Sequence, residues 1–355
     1  MTQTLPHIDI MTLAGTRPEV IKLSEFVKHF SNYKHSYVYT GQHFSSNMKD
    51  IFFDELDSLA DVNLQCNTSD VETMRHKIED LLNKMKPSLL VVYGDTNSTL
   101  AGSLAAKQTK TTLAHIEAGL RSFDLRMPEE KNRIRTDQLS DYLLCPTSLS
   151  KEFLAYEGIT TNVSITGNLI VDVCKKFSSM VRPKSVLPEN YLLLTLHRAE
   201  NVDDPASLMI LRNKLSEISE YKVIFPIHPR TKKNLHAHNI DLPDNVITID
   251  PVGYLEFLTL LKRCMLVLTD SGGVQEEAII LQKPCITLRH TTERWETILM
   301  GANRLYPLIV SSNTENFEQV IKRMLEKPIL HHPYGESVTA KTVNKIKDIL
   351  SEAKK

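Results

Sequence analysis

The sequence predicts an α/β protein made of two Rossmann-like domains, and three observations lead there. The chain has 355 residues, more than one core ordinarily organises, because chains tend to split near ~250–300 residues. Short apolar runs alternate with longer amphipathic stretches from end to end, the pattern of strands and helices in βα units. Runs such as Leu89–Tyr93 and Leu266–Thr269 are apolar without alternation, as strands covered on both faces are.

In chain order, the first set of strands is expected at Ile8–Ala14, Ser36–Thr40, Ser88–Tyr93, Thr112–Ile116 and Tyr142–Cys145. A second set follows at Tyr191–Leu196, Lys222–Pro226, Val246–Ile249, Met265–Thr269 and Cys285–Leu288. Between them lie helical patterns at Val71–Met85, Thr96–Lys107, Ser148–Tyr156, Ala206–Ser219 and Gly272–Leu281. The first of these is opened by Ser69 with Glu72 three residues on, the spacing of a capping box. Val181–Asn190 carries Pro183 and Pro188 with few large apolar residues and is the expected linker, dividing the chain into 1–180 and 181–340. The charged amphipathic stretch Lys341–Lys355 is a helix that either packs back on the first domain or lies free.

Composition narrows the function. The formal net charge is −1, far from the basic excess of a nucleic-acid binder. The one dense basic cluster, Arg230-Thr231-Lys232-Lys233, reads as a solvated helix face. No apolar run approaches the ~20 residues of a membrane span, and Met1–Asp9 lacks the basic and apolar regions of a signal peptide. Five cysteines, Cys66, Cys145, Cys174, Cys264 and Cys285, are odd in number, widely spaced and never CxxC, which indicates neither a disulfide framework nor a zinc site. The His236/His238 pair has no cysteine or carboxylate near it in sequence. A reduced, cytoplasmic setting is expected.

Chemistry is expected where strands end. After Leu266–Thr269 the chain reads Asp270-Ser271-Gly272-Gly273, then Glu276 and Glu277. Two glycines let a ligand approach the backbone closely, a helix start is a ready phosphate site, and a carboxylate a turn on, Glu277, can accept both hydroxyls of a ribose. The plainer reading is a capped helix after a tight connection. After the first strand, Gly15-Thr16-Arg17-Pro18-Glu19 and Lys22 combine a turn residue, a helix-opening proline and two cations, Arg17 and Lys22, suited to an anionic ligand or simply lying on a surface turn.

Three carboxylates occupy strand ends or the segment after one: Asp95 in Gly94-Asp95-Thr96-Asn97, Glu117 in His115-Ile116-Glu117-Ala118-Gly119, and Glu129 in Pro128-Glu129-Glu130-Lys131-Asn132-Arg133. A glutamate continuing a buried strand is costly unless paired or functional. Converging carboxylates raise at least one pKa, which suits proton transfer near neutral pH. The alternatives are Asp95 as a helix cap, Glu117 paired with Arg121, and Glu129 as a first-turn acid. His197, in Leu196-His197-Arg198-Ala199-Glu200-Asn201, can protonate or grip a leaving phosphate or be structural. The His228-Pro229-Arg230 turn is a weaker case of the same kind. Arg294, in Thr291-Thr292-Glu293-Arg294, can complete a phosphate clamp.

The ordered set GTRPEVIK, GDTNST, HIEAGLRS, PEEKNR, HRAEN, DSGGVQEEA and TTER, spread from about Gly15 to Gly301, resembles the non-hydrolysing UDP-N-acetylglucosamine 2-epimerases. The resemblance implies two Rossmann-like domains of the glycosyltransferase-B type with the active site in the interdomain cleft. It also implies that helix 341–355 returns to the first domain. It implies elimination of UDP to 2-acetamidoglucal and re-addition, with no cofactor and no metal. By resemblance, Asp95, Glu117 and Glu129 transfer protons and His197 aids the leaving phosphate. Arg17 and Lys22 line the cleft with Arg133 and Arg198. Ser271, Gly272 and Gly273 bind diphosphate, Glu277 takes the ribose, and Arg294 contacts phosphate or sugar. The implied partner is a UDP-N-acetyl amino sugar, and the implied assembly a homodimer.

The sequence departs from the commonest pattern at Met127, His290 and Trp295, which leaves room for a related UDP-sugar such as a diacetamido-glucuronate. Gly41-Gln42-His43 resembles the start of a regulatory UDP-sugar region, but Phe44-Ser45-Ser46-Asn47-Met48 follows. The rival enzyme is a glycosyltransferase of the same fold, which would not need three carboxylates in the first domain. The rival from another class is a non-catalytic nucleotide-sugar sensor.

Overall fold

The computed structural model describes residues 8–42, 59–180, 187–308, 315–329 and 331–353. Contacts divide the chain into two compact units, Met1–Val173 with Tyr334–Lys355, and Cys174–Pro333. The first holds β1 (Ile10–Ala14), β2 (His35–Tyr39), β3 (Val62–Asn63), β4 (Leu89–Tyr93), β5 (Thr112–Ile116), β6 (Tyr142–Cys145) and β7 (Val163–Ile165) in the order β3-β2-β1-β4-β5-β6-β7. The second holds β8 (Tyr191–Thr195), β9 (Lys222–Pro226), β10 (Val246–Ile249), β11 (Leu266–Thr269), β12 (Cys285–Thr287) and β13 (Asn303–Leu305) in the order β10-β9-β8-β11-β12-β13.

The described strand pairs are all parallel. Both sheets are wound outward from a central pair, β1 with β4 and β8 with β11. The order reverses at that pair, and the strand ends there open a crevice for ligands. Leu89–Tyr93 and Leu266–Thr269 are buried at every position, which is why they carry no polar alternation. Leu13, Leu90 and Val92 pack with Ala101 and Ala105 in the first core. Leu194, Phe225 and Leu268 pack with Leu208 and Leu211 in one core of the second unit.

Several expectations shift. The strands β3, β7 and β13 have no counterpart in the sequence reading. They span only two or three residues at sheet edges, too short to show a period. Helix Val71–Met85 is capped by Asp70, whose carboxylate accepts the Thr73 N–H at 2.7 Å, so the box expected from Ser69 and Glu72 is not the device used. A capping box does form at Thr16 and Glu19, opening helix Arg17–Val27. The division falls at Val173/Cys174 and Pro333/Tyr334, seven residues before the boundaries expected at 180/181 and 340/341. The C-terminal segment joins the first unit from Tyr334 onward: the Tyr334 carbonyl accepts the Asn168 N–H at 3.2 Å, and the Thr339 N–H donates to Asp172 at 2.6 Å. Helix Val338–Ala353 follows in that unit, with Tyr142 donating to Glu352 at 3.1 Å. Most of the expected linker, residues 181–186, and the segment from His43 to Met48 lie outside the described residues.

Candidate active site

In the first unit the chain leaving β5 turns sharply at Glu117. The residue holds φ +74°, the left-handed region that a side-chain-bearing residue enters at a cost of about 1–3 kcal/mol. The Glu117 and Ala118 N–H groups both donate to the Leu144 carbonyl at 3.1 Å, which pins the turn. Two residues on, Gly119 has φ +80°, and a Cβ there would lie 2.3 Å from the Ser150 carbonyl oxygen, so no other residue fits. The Glu117 carboxylate, 8% exposed, takes the Lys22 ammonium at 2.6 Å and the Tyr93 hydroxyl at 2.6 Å through the same oxygen. Lys22 also sits over the Tyr93 ring, 5.4 Å from its centroid. The other Glu117 oxygen lies beside Gly94, the residue before Asp95. Arg121, the alternative partner, holds Asp137 and Glu157.

Asp95 itself lies two residues past the end of β4 and does not cap the next helix, a role taken by Thr96. Its carboxylate pairs with Arg133, whose other arm holds the buried Glu130. Glu130 in turn accepts the Ser122 N–H at 2.9 Å, the Ser122 hydroxyl at 2.8 Å and the Phe123 N–H at 2.9 Å. The neighbouring Glu129 is half-buried on the first turn of helix Pro128–Leu139 and makes no hydrogen bond or ion pair to the described residues. Arg133, expected to bind substrate, is 3% exposed and bridges two carboxylates of its own unit; what it meets first is protein. Arg17 is half-buried at the start of its helix.

Glu19 is the group the sequence reading passed over. Its carboxylate collects the Gly15 and Thr16 N–H groups at 2.5 and 2.8 Å and the Thr96 and Thr99 hydroxyls at 2.7 and 3.0 Å. It thereby ties the turn after β1 to the turn after β4. Burial pushes its pKa up, against these four donors, which pull it down. The Thr-x-x-Glu spacing of Thr16 and Glu19 was the available signal. Tyr93 gave none, since a tyrosine closing an apolar strand reads as core.

In the second unit, β8 and β11 end side by side and Asp270 joins them. It is fully buried and accepts the His197 and Arg198 N–H groups at 3.2 and 3.0 Å and the Asn201 side-chain amide at 3.1 Å. The His197 ring meets it through Nδ1 at 2.9 Å, while the imidazole as a whole is 54% exposed. Burial pushes the Asp270 carboxyl up, but His197, Asn201 and Arg198 outweigh it and hold it below its ordinary value. Asp270 was read as at most a helix cap; it anchors His197 and Arg198 instead.

Helix Gly272–Ile280 starts directly after, and the Ser271 side chain does not cap it. Ser271, Gly272 and Gly273 are half-buried. The two glycines differ. A Cβ on Gly272 would lie 2.2 Å from a Glu293 carboxylate oxygen, whereas one on Gly273 would meet nothing within 4 Å. Glu293 is held there by Arg289 at 3.0 Å. Glu277, 7% exposed, faces the buried Tyr254. Burial drives the Tyr254 phenol far above its ordinary value, with Glu277 and Cys174 adding to the effect. Arg294 is 4% exposed and paired with the buried Glu276. The structure thus gathers Lys22, Asp95, Glu117 and Arg133 at the strand ends of one unit. In the other it gathers His197, Arg198, Ser271, Gly272 and Gly273.

A family model described as UDP-N-acetylglucosamine 2-epimerase matches residues 26–351. A UDP-N-acetylglucosamine 2-epimerase of Methanocaldococcus jannaschii is 43% identical over 359 residues, covering 94% of this chain and 97% of that protein. A UDP-2,3-diacetamido-2,3-dideoxy-D-glucuronate 2-epimerase of Pseudomonas aeruginosa is 44% identical over 312 residues, covering 83% and 87%. Among solved structures, the Methanocaldococcus jannaschii UDP-GlcNAc 2-epimerase in complex with UDP-GlcNAc and UDP matches with a TM-score of 0.84 at 41% identity, covering 96% of this chain and all of that one.

Proposed function

The chain belongs to the UDP-N-acetylglucosamine 2-epimerase family, and from that premise we propose that it interconverts UDP-N-acetylglucosamine and UDP-N-acetylmannosamine by eliminating and re-adding UDP. A base takes the proton from carbon 2, and the C–H electron pair becomes the C1=C2 double bond of 2-acetamidoglucal. The C1–O bond breaks, and its pair leaves on the β-phosphate oxygen of UDP. In the return step that oxygen adds to carbon 1 while carbon 2 takes a proton on its other face. Proton transfer and charge stabilisation suffice for both steps, so the reading calls for no cofactor and no metal.

The observation that carries the proposal is Glu117: a buried carboxylate in a strained conformation, with Lys22 and Tyr93 on one oxygen and the Asp95 strand end beside the other. Strain of this kind persists where the surroundings over-determine it, and it clusters at active sites. In this reading Asp95, Glu117 and Glu129 move the protons, with Arg133 fixing Asp95 and Arg17 and Lys22 supplying positive charge. Ser271, Gly272 and Gly273 hold the diphosphate on the helix start, with Arg198 and Arg294 as further cations. His197, oriented by Asp270, stabilises the leaving phosphate, and Glu277 takes the ribose. The site as a whole serves a UDP-N-acetyl amino sugar, and the working enzyme is a cytoplasmic homodimer; no helix among the described residues is long and apolar enough to cross a membrane.

Proton NMR of UDP-N-acetylglucosamine with the pure protein in heavy water tests the reading. Deuterium enters carbon 2 as UDP-N-acetylmannosamine appears. Release of free N-acetylmannosamine and UDP would instead make the protein a hydrolase. A second reading, a 2-epimerase of UDP-2,3-diacetamido-2,3-dideoxyglucuronate, is favoured by the comparable identity of the Pseudomonas aeruginosa enzyme. Exchange with that sugar alone would select it.

A further inference from the structure

Behind the carboxylates lies a charged group to which the reaction gives no part. His115, on β5, and Asp137, on helix Pro128–Leu139, are 0% and 1% exposed, so neither side chain can touch a substrate. The His115 Nδ1 meets Asp137 Oδ1 at 2.7 Å, and its Nε2 meets the Gly94 carbonyl at 2.8 Å. The other Asp137 oxygen accepts the Gly119 N–H at 3.1 Å and the Arg121 guanidinium at 2.7 Å. Arg121 completes the set with two bonds to Glu157 at 2.6 and 2.7 Å.

A carbonyl only accepts, so Nε2 carries a hydrogen. Asp137 already takes two donors on its far oxygen and stands beside Arg121. Burial pushes its carboxyl up, and His115 and Arg121 outweigh burial and hold it below its ordinary value. One hydrogen therefore lies between Nδ1 and Asp137, and Nε2 donates the other to the Gly94 carbonyl.

The three attachment points of this group coincide with the three proton-transfer segments. Gly94 immediately precedes Asp95. Gly119 closes the turn that holds Glu117, two residues after His115 and just past the end of β5. Asp137 lies on helix Pro128–Leu139, whose first turn carries Glu129. We propose that His115 is a positioning residue for the epimerisation, the hub that sets Asp95, Glu117 and Glu129 in register. A displacement of about 1 Å among reacting groups is enough to cost about 100-fold in rate. The proposal rests on the reading of these three carboxylates as the proton-transfer groups.

The test compares wild type with H115Q, whose amide reaches only one of the two acceptors, and with H115F. Both variants should lose about 100-fold in kcat, and carbon 2 deuterium exchange should fall in parallel. KM and the dissociation constant of UDP, which the second unit binds, stay within about twofold. A residue that only stabilised the fold would lower Tm and leave kcat per folded molecule unchanged, and that result would overturn the proposal. So would an equal loss in kcat and UDP affinity. Should both variants fail to fold, nitrogen-15 NMR of histidine-labelled wild type decides: one buried imidazole whose Nε2 carries a hydrogen bonded to a carbonyl is expected, and an Nε2 without that hydrogen refutes the hub. Wild type inactive on both UDP-sugars would mean that the functional reading itself had failed, whereas an active wild type with unimpaired variants would mean that only the hub had.

Discussion

The two units repeat one sheet order, yet their strand ends are furnished in opposite ways. In the first, side chains dominate: Glu117, Asp95, Glu130 and Glu19 are locked by Lys22, Arg133 and hydroxyls, mostly out of contact with water. In the second, a glycine turn and a helix start face outward, and the buried acids Asp270, Glu276 and Glu293 stand behind as supports for His197, Arg294 and the turn. A binding site for a diphosphate needs backbone amides that a ligand can reach. A proton-transfer site needs groups whose positions do not depend on the ligand. On the proposed reading the same α/β frame serves both, because ligand-facing residues come after the strands and not from the sheet.

The largest expected effect breaks the comparison on the side of the first unit. Glu117→Gln keeps the shape but removes the charge opposite Lys22 and a group able to exchange protons. We expect kcat to fall by roughly 10²–10⁴, measured by NMR exchange at carbon 2. UDP affinity, measured by calorimetry, should stay within about twofold. If UDP binding fell as far as kcat, the allotment of chemistry to one unit and binding to the other would be wrong.

Acid separates the units by stability. His35 is tucked against Phe30 and hydrogen-bonded to Thr12 at 3.0 Å. Burial lowers its pKa to about 4, with Asp61 opposing. As pH falls from about 6.5 to about 4 the unfolded chain takes a proton there that the folded unit refuses, so stability present above 6.5 is lost through that window. The shift is worth about 3 kcal/mol. Asp270 in the second unit behaves otherwise: its lowered pKa means its contribution is intact down to the ordinary carboxylate value and is lost only below it. Urea melts at pH 7 and 4.5 should show a drop that His35→Phe reduces and Asp270→Asn leaves in place.

This contrast also explains what the sequence could and could not disclose. The fold class was legible because buried parallel strands such as Leu89–Tyr93 and Leu266–Thr269 leave unbroken apolar runs. The carboxylates were legible because an acid such as Glu117 directly after such a run conflicts with burial. Edge strands of two or three residues were not, since no period fits in them. Nor were the pairings: Lys22 and Glu117 are 95 residues apart, and only the winding of the sheet makes them neighbours. Nor was it legible that Arg133, read as a substrate-binding cation, pairs with Glu130 and Asp95. His115 and Asp137 were invisible for the same reason, being ordinary polar residues until the fold closes around them.

A milder perturbation tests the turn of the second unit. Gly272→Ala drives a methyl group to 2.2 Å from the Glu293 carboxylate, which Arg289 holds in place. Overpacking of this kind costs about 1–3 kcal/mol, so thermal melting should report a loss before any ligand is added. An unchanged melting temperature would show that Glu293 is free to move aside.

Gly273→Ala is the sharper partner experiment because the protein itself gives no reason for the glycine. Its φ is ordinary and a Cβ has open space around it, so the free protein should melt as wild type does. If the diphosphate lies against this backbone, the added methyl group stands where phosphate oxygens must approach. A loss of about tenfold in UDP affinity is then expected, or about 1.4 kcal/mol, with the carboxylate chemistry of the first unit untouched once substrate is saturating. Calorimetric titration with UDP measures it. Undiminished affinity in a normally folded Gly273→Ala protein would move the diphosphate off this turn, and would leave the contrast between an outward-facing binding turn and an inward-locked proton-transfer cluster without its binding half.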